Sequence, residues 1–102
     1  MARDRRGAVS HRRTLSLGPR FARARQTLAP AGTQGARALA RTIVALQAAT
    51  LPGLADYEAA IPPTSRAWVR RIGGENLWLW YRASDAELVV VTLTKSPPVP
   101  LD

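Results

Sequence analysis

The chain has 102 residues and a net charge of +8, from 15 Lys or Arg against 7 Asp or Glu, with no cysteine and one histidine. That length supports one domain burying about two-thirds of its unfolded surface. Disulfides, thiolate chemistry and cysteine zinc sites are excluded, and His11 alone builds neither a metal site nor a catalytic triad, so no metal or cofactor is expected.

The charge is unevenly placed. Residues 1 to 41 hold ten arginines against Asp4 alone, whereas residues 42 to 102 hold five basic and six acidic residues, so the two parts carry +9 and −1. A basic segment on a near-neutral fold draws a polyanion such as RNA or DNA, or an acidic protein. No apolar run approaches the ~18 residues of a membrane span, and the start has no apolar secretory stretch. A soluble protein of the reducing cytoplasm, with no membrane partner, is expected.

In chain order, residues 1 to 12 carry Arg3, Arg5, Arg6 and Arg12 without apolar periodicity and read as a flexible basic arm. In a eukaryotic source the same stretch reads as a cleavable transit peptide, against which Asp4 counts. Arg13 to Leu17 alternates Thr14 and Ser16 with Leu15 and Leu17, an edge-strand pattern, and Gly18-Pro19 turns the chain into a helix. In that helix Phe21, Ala24 and Leu28 share one side, with Arg20, Arg23 and Gln26 outward, until Ala29-Pro30 stops it. Thr33 caps a second helix from about Gly35 to Thr50. Its buried stripe is Leu39, Ile43 and Leu46, its Arg37 and Arg41 lie on another face, and Leu51-Pro52-Gly53 ends it.

Gly53 to Ser65 reads as a connector. Its Asp56 and Glu58 are expected to be solvated or arginine-paired, because no other polar group nearby holds them for acid–base work. Three apolar runs follow, Ala67 to Ile72, Leu77 to Arg82 and Leu88 to Lys95, across turns at Gly73-Gly74-Glu75-Asn76 and Ala83 to Glu87. They predict an antiparallel meander, with the last run central and buried on both faces. The glycine pair lacks the surroundings of a phosphate-cradling loop. Pro97, Pro98 and Pro100 prevent further pairing and leave an extended tail. The expected organisation is an arm over 1–12, a domain over 13–95 and a tail over 96–102. The fold is a two-layer α+β domain with a small antiparallel sheet (β-α-α-β-β-β) and two helices packed on one face.

Numerical parity places Val69, Leu77, Leu79 and Tyr81 towards the helices, and Trp68, Arg70, Trp78, Trp80 and Arg82 on the open face. Indole rings accept base faces and guanidinium groups fork onto phosphates. Trp68, Arg71, Trp78 and Trp80, joined by Arg12 and Arg13, are therefore candidates for binding nucleic acid or a peptide partner. The alternative is that the tryptophans are core, covered by a terminal segment or a partner.

Leu15-Ser16-Leu17-Gly18-Pro19-Arg20-Phe21-Ala22, a strand entering a helix through a proline turn, and Tyr81-Arg82 ahead of a hairpin and Leu88 to Leu93 carry a resemblance. With the element order, they make residues 13 to 95 similar to the RelE/ParE superfamily of toxins from type II toxin–antitoxin modules. The resemblance implies a toxin whose concave sheet face engages its target and whose antitoxin, expected to be acidic, wraps the fold with a disordered segment and a helix. RelE-like members cut messenger RNA at the ribosome without metal; ParE-like members poison DNA gyrase and perform no reaction. By position, Arg70 or Arg71, Arg82 and Lys95 match the ribonuclease group's basic residues, and spacing lets only Arg70 and Arg82 converge. Tyr81 is the nearby phenol, with parity that makes it a core tyrosine before a catalyst.

The chain departs from the ribonuclease pattern in offering Thr92, Thr94, Lys95 and Ser96 where a tyrosine or histidine is usual, and Trp78 where an arginine is frequent. Inhibition of growth by binding a gyrase-like or ribosomal target is therefore the first expectation, and metal-independent endoribonuclease activity the second. Two further readings stay open: a non-catalytic nucleic-acid-binding module, and an interaction protein, including a homodimer, using the tryptophan face.

Overall fold

The computed structural model describes residues 12–62 and 64–101; of the expected basic arm only Arg12 falls within them. The elements are β1 (Thr14–Leu17), α1 (Pro19–Leu28), α2 (Gln34–Ala48), β2 (Tyr57–Ile61), β3 (Ser65–Arg71), β4 (Trp78–Ala83) and β5 (Glu87–Thr94). They form a two-layer α+β fold in which both helices pack on one face of a sheet ordered β1-β5-β4-β3-β2.

Local chemistry sets the helices. Gly18 brings the chain so close to β5 that a β-carbon there would lie 3.2 Å from the Val90 carbonyl oxygen, and Pro19 then supplies a helical φ at the first position. Phe21 is α1's fully buried residue. Thr33 caps α2, its Oγ1 accepting from the Ala36 amide at 3.2 Å and donating to the Pro30 carbonyl at 2.6 Å. Below it Ala38, Leu39, Ile43 and Leu46 form the buried stripe. These side chains pack with Ile72, Leu77, Leu79, Tyr81, Leu88, Val90 and Leu93 into one core.

β3, β4 and β5 make the expected antiparallel meander, while β1 joins the far edge parallel to β5, so the sheet is mixed. Three local expectations are corrected. The segment read as a connector contains β2, which pairs with β3 from Tyr57↔Val69 to Ile61↔Ser65. β5 is an inner strand but is fully covered only on the helix side, since Val89 and Val91 keep partial exposure. The proline-rich tail does pair: Leu101 donates its amide to the Glu58 carbonyl at 2.8 Å and Pro100 bridges Ala59, which covers the β2 edge.

Arg13 is the main departure on the charged side. It was expected to bind nucleic acid, yet it is 6% exposed. Its Nε donates to the Ser84 carbonyl at 2.6 Å, and one terminal nitrogen donates to the carbonyls of Ala49 at 2.6 Å and Leu46 at 3.2 Å. The guanidinium thus satisfies carbonyls at the C-terminal end of α2, where the last turn has no basic residue of its own, and ties them to the β4–β5 turn. Arg13→Ala is expected to cost about 3 kcal/mol by stranding these carbonyls, read as a lowered urea midpoint with unchanged slope. A loss under about 0.5 kcal/mol, the range of ordinary surface changes, would contradict this role.

Candidate interaction face

The register between β3 and β4 decides which side chains share a face. Trp68 pairs with Tyr81, Val69 with Trp80, Arg70 with Leu79 and Arg71 with Trp78. Directly opposed residues in a sheet point the same way. Trp68 and Arg70 therefore lie on the helix side, not with Trp78 and Trp80 as expected, and Trp68 packs against the core. Val69 exchanges places with them: it lies on the face away from the helices, between Tyr57 and Trp80.

On the helix side Arg70 completes a closed polar cluster. Its Nε meets Asp56 Oδ1 at 2.6 Å and a terminal nitrogen meets Asp56 Oδ2 at 3.0 Å. Asp56 Oδ2 also accepts from the Gly53 amide at 2.8 Å and from the Tyr81 hydroxyl. The Asp56 side chain has no exposure, and each of its oxygens is occupied. This is the arginine-paired outcome expected for Asp56. Glu58 pairs with Arg66 at 3.5 Å, in an exposed setting. Hydrogen bonding to Asp56 holds the Arg70 guanidinium above its ordinary pKa.

Burial, and secondarily the Asp56 carboxylate, push the Tyr81 phenol well above its ordinary value, so it stays neutral at physiological pH. A folded pKa above the unfolded value of about 10 makes its contribution complete below pH ~10 and lost as pH rises beyond that. Tyr57 is raised by burial too and adds to the same fall. Wild-type stability should drop above pH ~10 by up to about 1.4 kcal/mol per pH unit from Tyr81, with Tyr57 adding in the same direction. Tyr81→Phe should remove much of that slope in denaturation curves between pH 8 and 11; an unchanged slope would show that Tyr81 ionises normally.

The open face is built of cross-strand rows. One row is Arg71, Trp78 and Thr94, and the next is Tyr57, Val69, Trp80 and Thr92, in which Val69 has no exposure and its neighbours keep only part of theirs. The Arg71 guanidinium stands over the Trp78 ring, 5.5 Å from its centroid, and reaches the Glu75 carbonyl at 3.4 Å. Trp80 Nε1 donates to Thr94 Oγ1 at 3.1 Å, which in turn donates to the Ser96 carbonyl at 3.1 Å. Tyr57, in the stretch whose sequence reads as a connector, donates its hydroxyl to the Pro98 carbonyl at 2.9 Å. Arg82 is exposed further along β4, its Nε donating to the Arg66 carbonyl at 3.1 Å, beside a shallow groove of about 220 Å³ shared with Ser84, Glu87 and Val89. Trp78 and Trp80 each keep partial exposure, so two indoles and two guanidinium groups are presented together.

The four residues matched to a ribonuclease centre do not converge. Arg70 and Tyr81 are on the helix side, bonded to Asp56, and Arg82 is on the opposite face. Lys95 is exposed just past the end of β5, beside the Trp78 end of β4, and Arg82 lies four residues, about 13 Å, further along that strand. Among the expected binding residues the structure groups Arg71, Trp78 and Trp80, separates Trp68, and buries Arg13; Arg12 is exposed ahead of β1. Among the described residues no cluster of His, Asp or Glu is arranged to hold a metal ion, and no helix is long and apolar enough to cross a membrane. Comparison with protein-family models, with curated proteins and with solved structures finds no match.

Proposed function

We propose that the chain inhibits growth by binding, as the toxin component of a type II toxin–antitoxin module. Its open sheet face engages a nucleic-acid-processing target, gyrase-like or ribosomal, and an acidic antitoxin neutralises it in the cytoplasm. The observation that carries this reading is the split of the cationic and aromatic residues: Arg70 and Tyr81 are consumed by Asp56, while Arg71, Trp78, Trp80 and Arg82 lie on the other face. Exposed guanidinium groups beside partly exposed indoles suit anchoring, since aromatic and arginine side chains dominate binding energy at interfaces. General acid–base chemistry needs a group within hydrogen-bond reach of the scissile bond that readily gives and takes a proton, and guanidinium and indole groups are poor at both.

Induced expression in a bacterial host, with total RNA followed in parallel, tests the reading. Growth arrest with intact messenger RNA is expected. Fragmented messenger RNA would replace it with the endoribonuclease reading, and soluble protein without arrest would remove the toxin reading.

A second reading rests on the Arg71–Trp78 stack itself, which offers a base platform with a phosphate contact beside it. A non-catalytic nucleic-acid-binding module of this kind should lose affinity for single-stranded RNA or DNA steeply with salt, and retain most of it after removal of residues 1–11.

A further inference from the structure

The tail after β5 is held extended by its own residues. Pro97, Pro98 and Pro100 each fix φ at about −65°, and Ser96, Pro97 and Val99, each directly ahead of a proline, are kept in the extended or polyproline region. Residues 97–99 accordingly belong to no helix or strand. The segment is also pinned along its length. The Ser96 carbonyl accepts from Thr94 Oγ1 at 3.1 Å, the Pro98 carbonyl accepts from the Tyr57 hydroxyl at 2.9 Å, and the Leu101 amide donates to the Glu58 carbonyl at 2.8 Å. A polyproline helix has three residues per turn, so Pro97 and Pro100 share one edge, Ser96 and Val99 a second, and Pro98 and Leu101 the third. The third edge is the one turned to the sheet: Pro98 is half-buried and Leu101 is bonded to β2. The other two edges face outward, with Ser96, Pro97 and Pro100 exposed and Val99 83% exposed.

The chemistry of these two edges selects their occupant. Apart from the Ser96 hydroxyl they carry no polar side-chain atom, so a nucleic acid would find only the exposed Lys95 ammonium at one end. A second copy would have to cover them with its partly exposed Trp78 and Trp80, and would bring Arg71 against Lys95. We propose that residues 95–100 are a docking segment for a protein domain with an aromatic-lined groove and an acidic rim. The groove's aromatic side chains receive Pro97 and Pro100, which stand about 9 Å apart on one edge, together with Val99 on the next, and a carboxylate on the rim meets Lys95. Because the segment is already extended and pinned, little conformational freedom is lost on binding. The inference goes beyond the function proposed above, because it concerns the outward side of the tail and not the sheet face.

A panel of purified WW and Src-homology proline-binding domains is the probe, titrated against the full chain and followed by fluorescence anisotropy and backbone amide NMR. Saturable binding of at least one domain is expected, with shifts at the Lys95, Ser96 and Val99 amides, and it should vanish when a groove tyrosine or tryptophan of that domain is replaced by alanine. Pro97→Ala with Pro100→Ala should weaken binding about tenfold or more, and Lys95→Glu should weaken it as well. Pro98→Ala removes the same ring from the inward edge and should change affinity by less than about threefold, which separates edge recognition from loss of stiffness. These side chains lie outside the core, so every variant should melt within a few degrees of wild type. Absence of binding across the panel, affinity unchanged in the Pro97 and Pro100 double variant, an equal loss from Pro98→Ala, shifts confined to the Trp78 face, or self-association that shifts the same amides without a probe would each overturn the proposal.

Discussion

Replacing Asp56 with alanine should lower the melting temperature by at least about 8 °C. The carboxylate has no exposure and accepts from Arg70, Tyr81 and the Gly53 amide. Its removal leaves a buried phenol and a backbone N–H unpaired and strips a largely buried guanidinium of its counter-charge. Breaking a buried pair from one side costs about 3–5 kcal/mol. Arg70 keeps 22% side-chain exposure and recovers part of its solvation, so about 2–4 kcal/mol is expected here. At about 4–8 °C per kcal/mol for a domain of this size, the shift is large and measurable by calorimetry. Asp56→Asn keeps the shape and some of the hydrogen bonds and should fall between. Glu58→Ala, two residues away in an exposed ion pair, should cost no more than about 0.5 kcal/mol. Equal losses at positions 56 and 58 would show that the Asp56 cluster does not hold the loop after α2 to the sheet.

The largest functional effect is expected from Arg71→Glu together with Arg82→Glu. Both side chains are exposed, one over Trp78 and the other beyond Trp80, and neither supports the core. The fold should therefore persist, with a melting temperature within a few degrees of wild type, as for ordinary surface substitutions. Binding should not persist, because reversing two charges at an interface replaces attraction with repulsion, and like-charge juxtaposition costs several kcal/mol. The growth arrest that the proposed function predicts for the wild-type chain should be absent from the double variant at the same expression level. Arrest that survives the double reversal would move the functional surface off this face.

Much of the fold is legible in the residues because periodicity and punctuation agree. Phe21 with Leu28, and Leu39 with Ile43 and Leu46, mark two helices that Pro19 opens, Ala29-Pro30 interrupts and Thr33 restarts. The strand missed over Tyr57–Ile61 has a weaker signature: five residues, two of them alanine, next to Pro62 and Pro63. The alternation of Tyr57, Ala59 and Ile61 was the available signal. The facing of β3 was not legible at all. Even-numbered residues in two strands share a face only if the intervening turn sets that register, and the Ile72–Leu77 turn sets the other one. What lets Arg70 sit on the helix side is a carboxylate 14 residues earlier, and no local pattern announces that pairing. The burial of Arg13 is hidden in the sequence for a similar reason: it sits at the end of an arginine-rich stretch, but its partners are carbonyls at Leu46, Ala49 and Ser84.

If the chain meets its target through Trp78 and its neighbours and not through Trp68, photo-crosslinking in bacterial cells expressing it separates the two positions. With p-benzoylphenylalanine in place of Trp78, irradiation should yield a covalent adduct with a nucleic-acid-processing target, whereas the same residue in place of Trp68, turned towards the helices, should yield none. An adduct from position 68, an adduct of twice the chain's own mass from position 78, or no adduct from either would place target binding elsewhere than on the Trp78 face.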